Sequence, residues 1–169
     1  MFLYANTYLL TNLYRMYREL LFLHGIVRWL VLILLIWSVL AAWRGLRGRR
    51  PFTKTVNALR HWTATVAHIQ LVIGIVLYVK SPFVQLYFKG PAHGGKTSDG
   101  FFFGILHIAL MLSAIAVLTI GSAMAKRKTA DCDRYSTMLL WFSIALFLIF
   151  LAIPWPFSPL SQRQLLRTY

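Results

Sequence analysis

Four stretches of this chain, 20–43, 62–79, 101–125 and 137–153, are apolar over nearly their whole length, and each is near the roughly 20 residues a helix needs to cross about 30 Å of hydrocarbon. Inside a bilayer no water is available to backbone N–H and C=O groups, so such segments must satisfy their own backbones, and a helix does this within one segment. The expectation is therefore an all-α chain, a four-helix transmembrane bundle forming a single membrane domain over 1–169, with the lipid bilayer as its first partner. Composition agrees. With 59% hydrophobic residues and 15% aromatics and a mean hydropathy of +0.63, the chain is too apolar for a soluble domain of its length. No charged segment followed by a cleavable apolar core opens the sequence, so no removed signal peptide is expected. Residues 11–19, with Arg15, Arg18 and Glu19 among tyrosines and leucines, read as an amphipathic turn at the interface.

The formal net charge of +14 in a soluble protein would point to nucleic acid. Here the cations sit in short segments beside apolar spans, where lipid head groups account for them, and no nucleic-acid partner is expected. Segment 44–60 holds six Lys or Arg and 126–136 holds four, denser than the segments on the opposite side. The positive-inside rule then predicts that both are cytoplasmic and that both termini lie on the outer side, although Arg15, Arg18 and Arg28 pull the other way. Cys132, the one cysteine, falls in a predicted cytoplasmic loop and can form neither a disulfide within the chain nor a paired-cysteine metal site.

Punctuation marks the helix ends. RGLRGRRPF closes the first span, Ser81-Pro82 the second, and AIPWPFSPL the fourth, with Pro154, Pro156 and Pro159 forbidding continuation. Phe83, Leu86, Tyr87 and Phe88 suit the head-group region. The loop KGPAHGGKTSDG that follows contains a formal phosphate-loop match, Gly90, Gly95, Lys96 and Thr97. That pattern binds nucleotide when a buried strand precedes it and a helix N-terminus follows. A short connection between membrane helices supplies no such sheet, and no nucleotide is expected.

The histidines carry more information. Three of the five, His24, His68 and His107, lie within spans, where an ionisable side chain normally faces the protein interior and serves a function. Counted at 1.5 Å per residue from the outer ends, His24 is roughly 6 Å deep, His107 roughly 9 Å and His68 roughly 16 Å. The first two are level; His68 joins them only if its helix is displaced. Gly25 adjoins His24 and Gly104 precedes His107 by one turn, leaving room for a flat ring. Arg28 follows His24 by four residues, on the same face, placed to pair with an anionic group such as a haem propionate. Haem iron accepts imidazole ligands, and facing helices can hold a porphyrin. No Cys-x-x-Cys-His occurs, so haem would be held non-covalently. His61 reads as an interfacial residue at the inner end of its helix, although its place seven residues before His68 permits a second, deeper site, and His93 reads as a solvated loop residue.

LHGIVRWLVLILL, AHIQLVIGIVLY, FGILHIALM and AIPWPF together resemble a family of small bacterial four-helix integral membrane proteins described as cytochrome b-like. The resemblance implies that His24, His68 and His107 are recurring intramembrane histidines, accompanied by Arg28 and Trp29. It implies haem b as cofactor, electron transfer as the role, and the bacterial inner membrane as the location, in a carrier or subunit more than a stand-alone enzyme. Other subunits of a respiratory or redox membrane complex are the expected partners. Two alternatives stay open. One is a non-catalytic structural subunit of a larger respiratory or transport complex whose histidines only hydrogen-bond between helices. The other is a copper site, since Met111 shares a face with His107 and soft copper suits a His/Met set.

Overall fold

The computed structural model describes residues 2–89 and 98–155, with side chains from 12 onward except at Leu13 and Ser98. Its elements are α1 (Phe2–Arg47), α2 (Lys54–Lys80), α3 (Pro82–Lys89), α4 (Ser98–Phe101), a π turn (Phe102–Leu106), α5 (His107–Arg127) and α6 (Asp131–Ala152), with no strand among the described residues. Four helical stretches, Tyr14–Arg47, Lys54–Lys80, Asp99–Arg127 and Asp131–Ala152, are long and apolar enough to cross a bilayer. The protein is an all-α, multi-pass membrane protein.

The helices are longer than the apolar runs that announce them, because backbone hydrogen bonding continues into polar sequence. α1 passes without a break through 11–19, which is helix and not a separate interfacial turn, and Arg15 Nε reaches Glu19 Oε1 at 3.0 Å one turn on. α2 begins at Lys54, where the Thr53 hydroxyl accepts the Val56 N–H at 3.3 Å as an N-cap. α6 begins at Asp131, with Asp131 and Asp133 in its first turn, where carboxylates complement the helix dipole. Cys132 accordingly lies in α6, exposed and free, rather than in a loop. The connection after α1 shrinks to 48–53, where Arg49 adopts a left-handed φ of 46° to reverse the chain.

α1 packs on α2, α2 on α5, α5 on α6 and α6 back on α1. The four long helices therefore form a closed square with α1 and α5 on one diagonal. Side chains that protrude outward remain apolar, as lipid requires: Ile33, Trp37, Val72 and Phe147 are all exposed. Contacts between helices use small residues and polar links. The Gly45 backbone lies under the Tyr135 ring, and Gly121 under Trp141. Buried Ser38 and Thr63 share a hydrogen bond of 2.8 Å between α1 and α2. Arg60, read from sequence as a loop cation, is 4% exposed inside α2. Its Nη1 donates to the Ser122 carbonyl at 2.8 Å and to the Ser122 hydroxyl, and its Nε and Nη2 donate to Asn57 Oδ1 at 3.2 and 3.0 Å. Arginine supplies five donors in a rigid fork, and here the fork ties α2 to α5.

Gly121 offers a test of this packing. A Cβ there would overlap Trp141 Cβ and Cγ, atoms fixed to the α6 backbone. Gly121→Ala is expected to destabilise the bundle by about 1–3 kcal/mol, the usual cost of overpacking, read as a lower thermal midpoint in detergent. Gly25→Ala meets no atom within 4 Å and is expected to be neutral or slightly stabilising.

Candidate functional site

At the end of the bundle where α3 lies is a cavity of about 430 Å³, within the range of small-molecule and cofactor sites. Most of its lining is aliphatic or aromatic. The polar groups that reach it include His24 and Arg28 from α1, Gln70 and Tyr78 from α2, and His107 from α5. α3 covers one end with Phe83 and Val84. That short helix starts with Pro82 in its first turn, and the Ser81 hydroxyl accepts the Val84 N–H at 3.4 Å.

His24 and His107 come from the diagonal pair of helices and line the same space. His107 donates its Nδ1–H to the Ala152 carbonyl at 2.8 Å. That carbonyl ends α6, and Pro156, four residues on, has no N–H to give it. A donor at Nδ1 leaves the Nε2 lone pair as the ring's acceptor or metal-binding position, and a backbone carbonyl on the far nitrogen is the usual support for a ligating imidazole. Phe102 and Phe103 both contact the ring, with centroids 5.9 Å away in each case.

A π turn sits directly before His107, whose backbone N–H bonds to Phe102 O. Such turns insert one extra residue into a helix and often accompany functional sites. The Gly104 carbonyl, within this turn, accepts the Tyr78 hydroxyl at 2.8 Å. Gly104 does not make room for a planar ligand, as the sequence suggests; a Cβ there would lie 3.0 Å from Tyr87 Cδ1 of α3. Gly25 does face open space in the cavity wall. His24 by contrast is closely packed on one edge: Gly74 of α2 approaches the ring so closely that a Cβ would sit 3.3 Å from His24 Cε1.

Arg28 lines the cavity and lies over the Trp29 ring, 5.4 Å from its centroid, while Trp29 meets Trp155 edge-on at 6.3 Å. Both histidines are within electrostatic reach of Arg28.

His68 is elsewhere. Its side chain is exposed on the outside of the bundle. Nδ1 donates to the Ala64 carbonyl at 2.7 Å, and Nε2 is 3.1 Å from the Thr119 hydroxyl of α5. The expectation that it faces the bundle interior is corrected: it lies six positions along α2 from Gly74, roughly 9 Å by helical rise, on a face turned away from the cavity. His61 is likewise exposed, beside Trp62, and no group of three or more His, Cys, Asp or Glu is assembled for a metal among the described residues. Met111 does line the cavity. His93 and the phosphate-loop match at Gly90, Gly95, Lys96 and Thr97 fall outside the described residues.

Sequence reasoning missed Gln70, Tyr78 and α3. Gln70 is a polar residue in the middle of a span, and that alone was a signal. Comparison with protein families, with curated proteins and with solved structures finds no match to this chain.

Proposed function

We propose that the protein is a membrane-embedded electron carrier that binds b-type haem between His24 and His107. The observation that carries this reading is the pair itself. Two imidazoles on diagonally opposed helices line one largely apolar cavity, and one has its outer nitrogen tied to a carbonyl. A haem here would be held by one imidazole from α1 and one from α5: His24 and His107 line the same cavity, whereas His68 lies outside it. The residues present therefore fit the group.

Each part then has a task. His107 is oriented by the Ala152 carbonyl and His24 is packed against Gly74, and rings held in this way would need little reordering to take a metal. Arg28 would attract the propionates by charge. The aliphatic and aromatic wall keeps water out, which favours a neutral or singly charged centre and tunes its potential. Haem bound here would supply one-electron exchange between ferric and ferrous iron. Partners would be other subunits of a respiratory or redox complex in the bacterial inner membrane, with the cation-rich segments 44–60 and 126–136 on the cytoplasmic side and both termini outside.

Met111, in the same cavity, favours copper on His24, His107 and Met111 as the second reading. Metal analysis and haem extraction on protein expressed with ample haem and copper decide between them. About one haem and one iron per chain is expected; copper without haem would select the second reading, and neither metal would leave a structural subunit of a larger complex.

Orientation has its own expected result. An impermeant thiol reagent on intact cells should label Thr97→Cys and spare Arg49→Cys, both made in a Cys132→Ser background. The reverse pattern would invert the topology.

A further inference from the structure

Gln70 is 4% exposed near the middle of α2, and its amide has an assigned direction. Nε2 donates to the His24 backbone carbonyl at 2.9 Å. Turning the amide over would set two acceptor oxygens against each other, so Oε1 must point the other way. There it is buried without a partner, and so is Nδ1 of His24. Both atoms lie at one contact between α1 and α2. The Cε1–Nδ1 edge of His24 faces α2, since a Cβ on Gly74 would lie 3.3 Å from Cε1 and 3.8 Å from Nδ1. Gln70 is one turn before Gly74 on the same face. A buried acceptor lacking a donor and a ring nitrogen lacking an acceptor thus belong to two residues already joined by one hydrogen bond, and orphaned buried polar atoms cost free energy that pairing removes.

We propose that Gln70 is the positioning residue of His24: its Oε1 accepts the His24 Nδ1–H, directly or across one bridging water, and so keeps the Nε2 lone pair available to a metal. His107 is held in the same tautomer by the Ala152 carbonyl. Each imidazole of the pair then has an amide oxygen from a neighbouring helix at its Nδ1, one from a side chain and one from the backbone. The metal role rests on the function proposed above, but the tautomer belongs to the haem-free protein and is measured there.

The experiment is nitrogen NMR of histidine-labelled, haem-free full-length protein in lipid nanodiscs, with His24 and His107 assigned by substitution. In the wild type both rings are expected as the Nδ1–H tautomer. Gln70→Leu is expected to move His24 to a mixture dominated by Nε2–H while His107 stays unchanged, and Gln70→Glu, which keeps an acceptor, is expected to restore Nδ1–H at His24. An Nε2–H tautomer of His24 in the wild type, or an Nδ1–H tautomer that survives Gln70→Leu, overturns the proposal. If Gln70→Leu fails to fold, the wild-type tautomer and a cross-peak between His24 Nδ1–H and the Gln70 amide decide alone. In haem-loaded protein Gln70→Leu should raise the midpoint potential, because a less basic imidazole stabilises ferric iron less, and should weaken haem binding, because the Nε2–H tautomer has no lone pair for the metal. Wild-type protein that takes up no haem would refute the electron-carrier reading and leave the tautomer result standing.

Discussion

His107→Ala and His24→Ala are each expected to abolish haem uptake or to convert a six-coordinate low-spin spectrum to a high-spin one, whereas His68→Ala is expected to leave haem content and spin state unchanged. The contrast follows from placement. His24 and His107 line the cavity together, so either loss leaves the iron with one imidazole at most. His68 is exposed, with one ring nitrogen on Ala64 and the other beside Thr119. Its removal breaks only a link between α2 and α5, worth about 0.6–2 kcal/mol within a membrane. Haem stoichiometry and the ferric spectrum of the three purified variants check this. High-spin haem in His68→Ala with low-spin haem in His24→Ala would exchange their roles.

Filling the cavity should have as large an effect as removing a ligand. Gly25 borders it, and a Cβ there meets nothing within 4 Å, so Gly25→Phe is expected to fold with a thermal midpoint close to wild type. Its ring would occupy space the porphyrin needs, and haem affinity is expected to fall more than about tenfold, a difference of roughly 1.4 kcal/mol. Titration of haem into haem-free wild type and variant measures the ratio. Equal affinities would mean that the planar group, if bound, is not beside Gly25. Because both imidazoles are kept, this variant separates loss of space from loss of coordination.

Much of the architecture was legible because bilayer thickness and backbone satisfaction leave few choices to long apolar runs. The ends were less so. Helical hydrogen bonding carries on where hydropathy falls, so α1 runs through Arg15 and Glu19, and α6 takes in Asp131 and Asp133. Arg60 misled for the same reason: as a charge beside a basic loop it reads as solvated, and only the Asn57 and Ser122 oxygens show how a guanidinium is buried there. At the site, counting rise placed His24 and His107 level, and the fold brings them to one cavity. Rise says nothing about rotation, however, and rotation sets His68 outside. The π turn at Phe102–Leu106 adds a local change of register that no spacing rule anticipates. The Ala152 carbonyl was foreshadowed by the proline cluster of AIPWPF, since a helix ending before proline leaves carbonyls free. Gln70 had its polarity as a signal, but its partner depended on how α1 meets α2.

The central claim is tested most directly by the absorption spectrum of the wild-type protein, expressed with ample haem, purified, and recorded oxidised and then reduced with dithionite. The account requires a low-spin b-type spectrum in both states, with haem extractable by acid solvent at about one equivalent per chain. A colourless protein, or haem that is high-spin in both states, would contradict binding between His24 and His107.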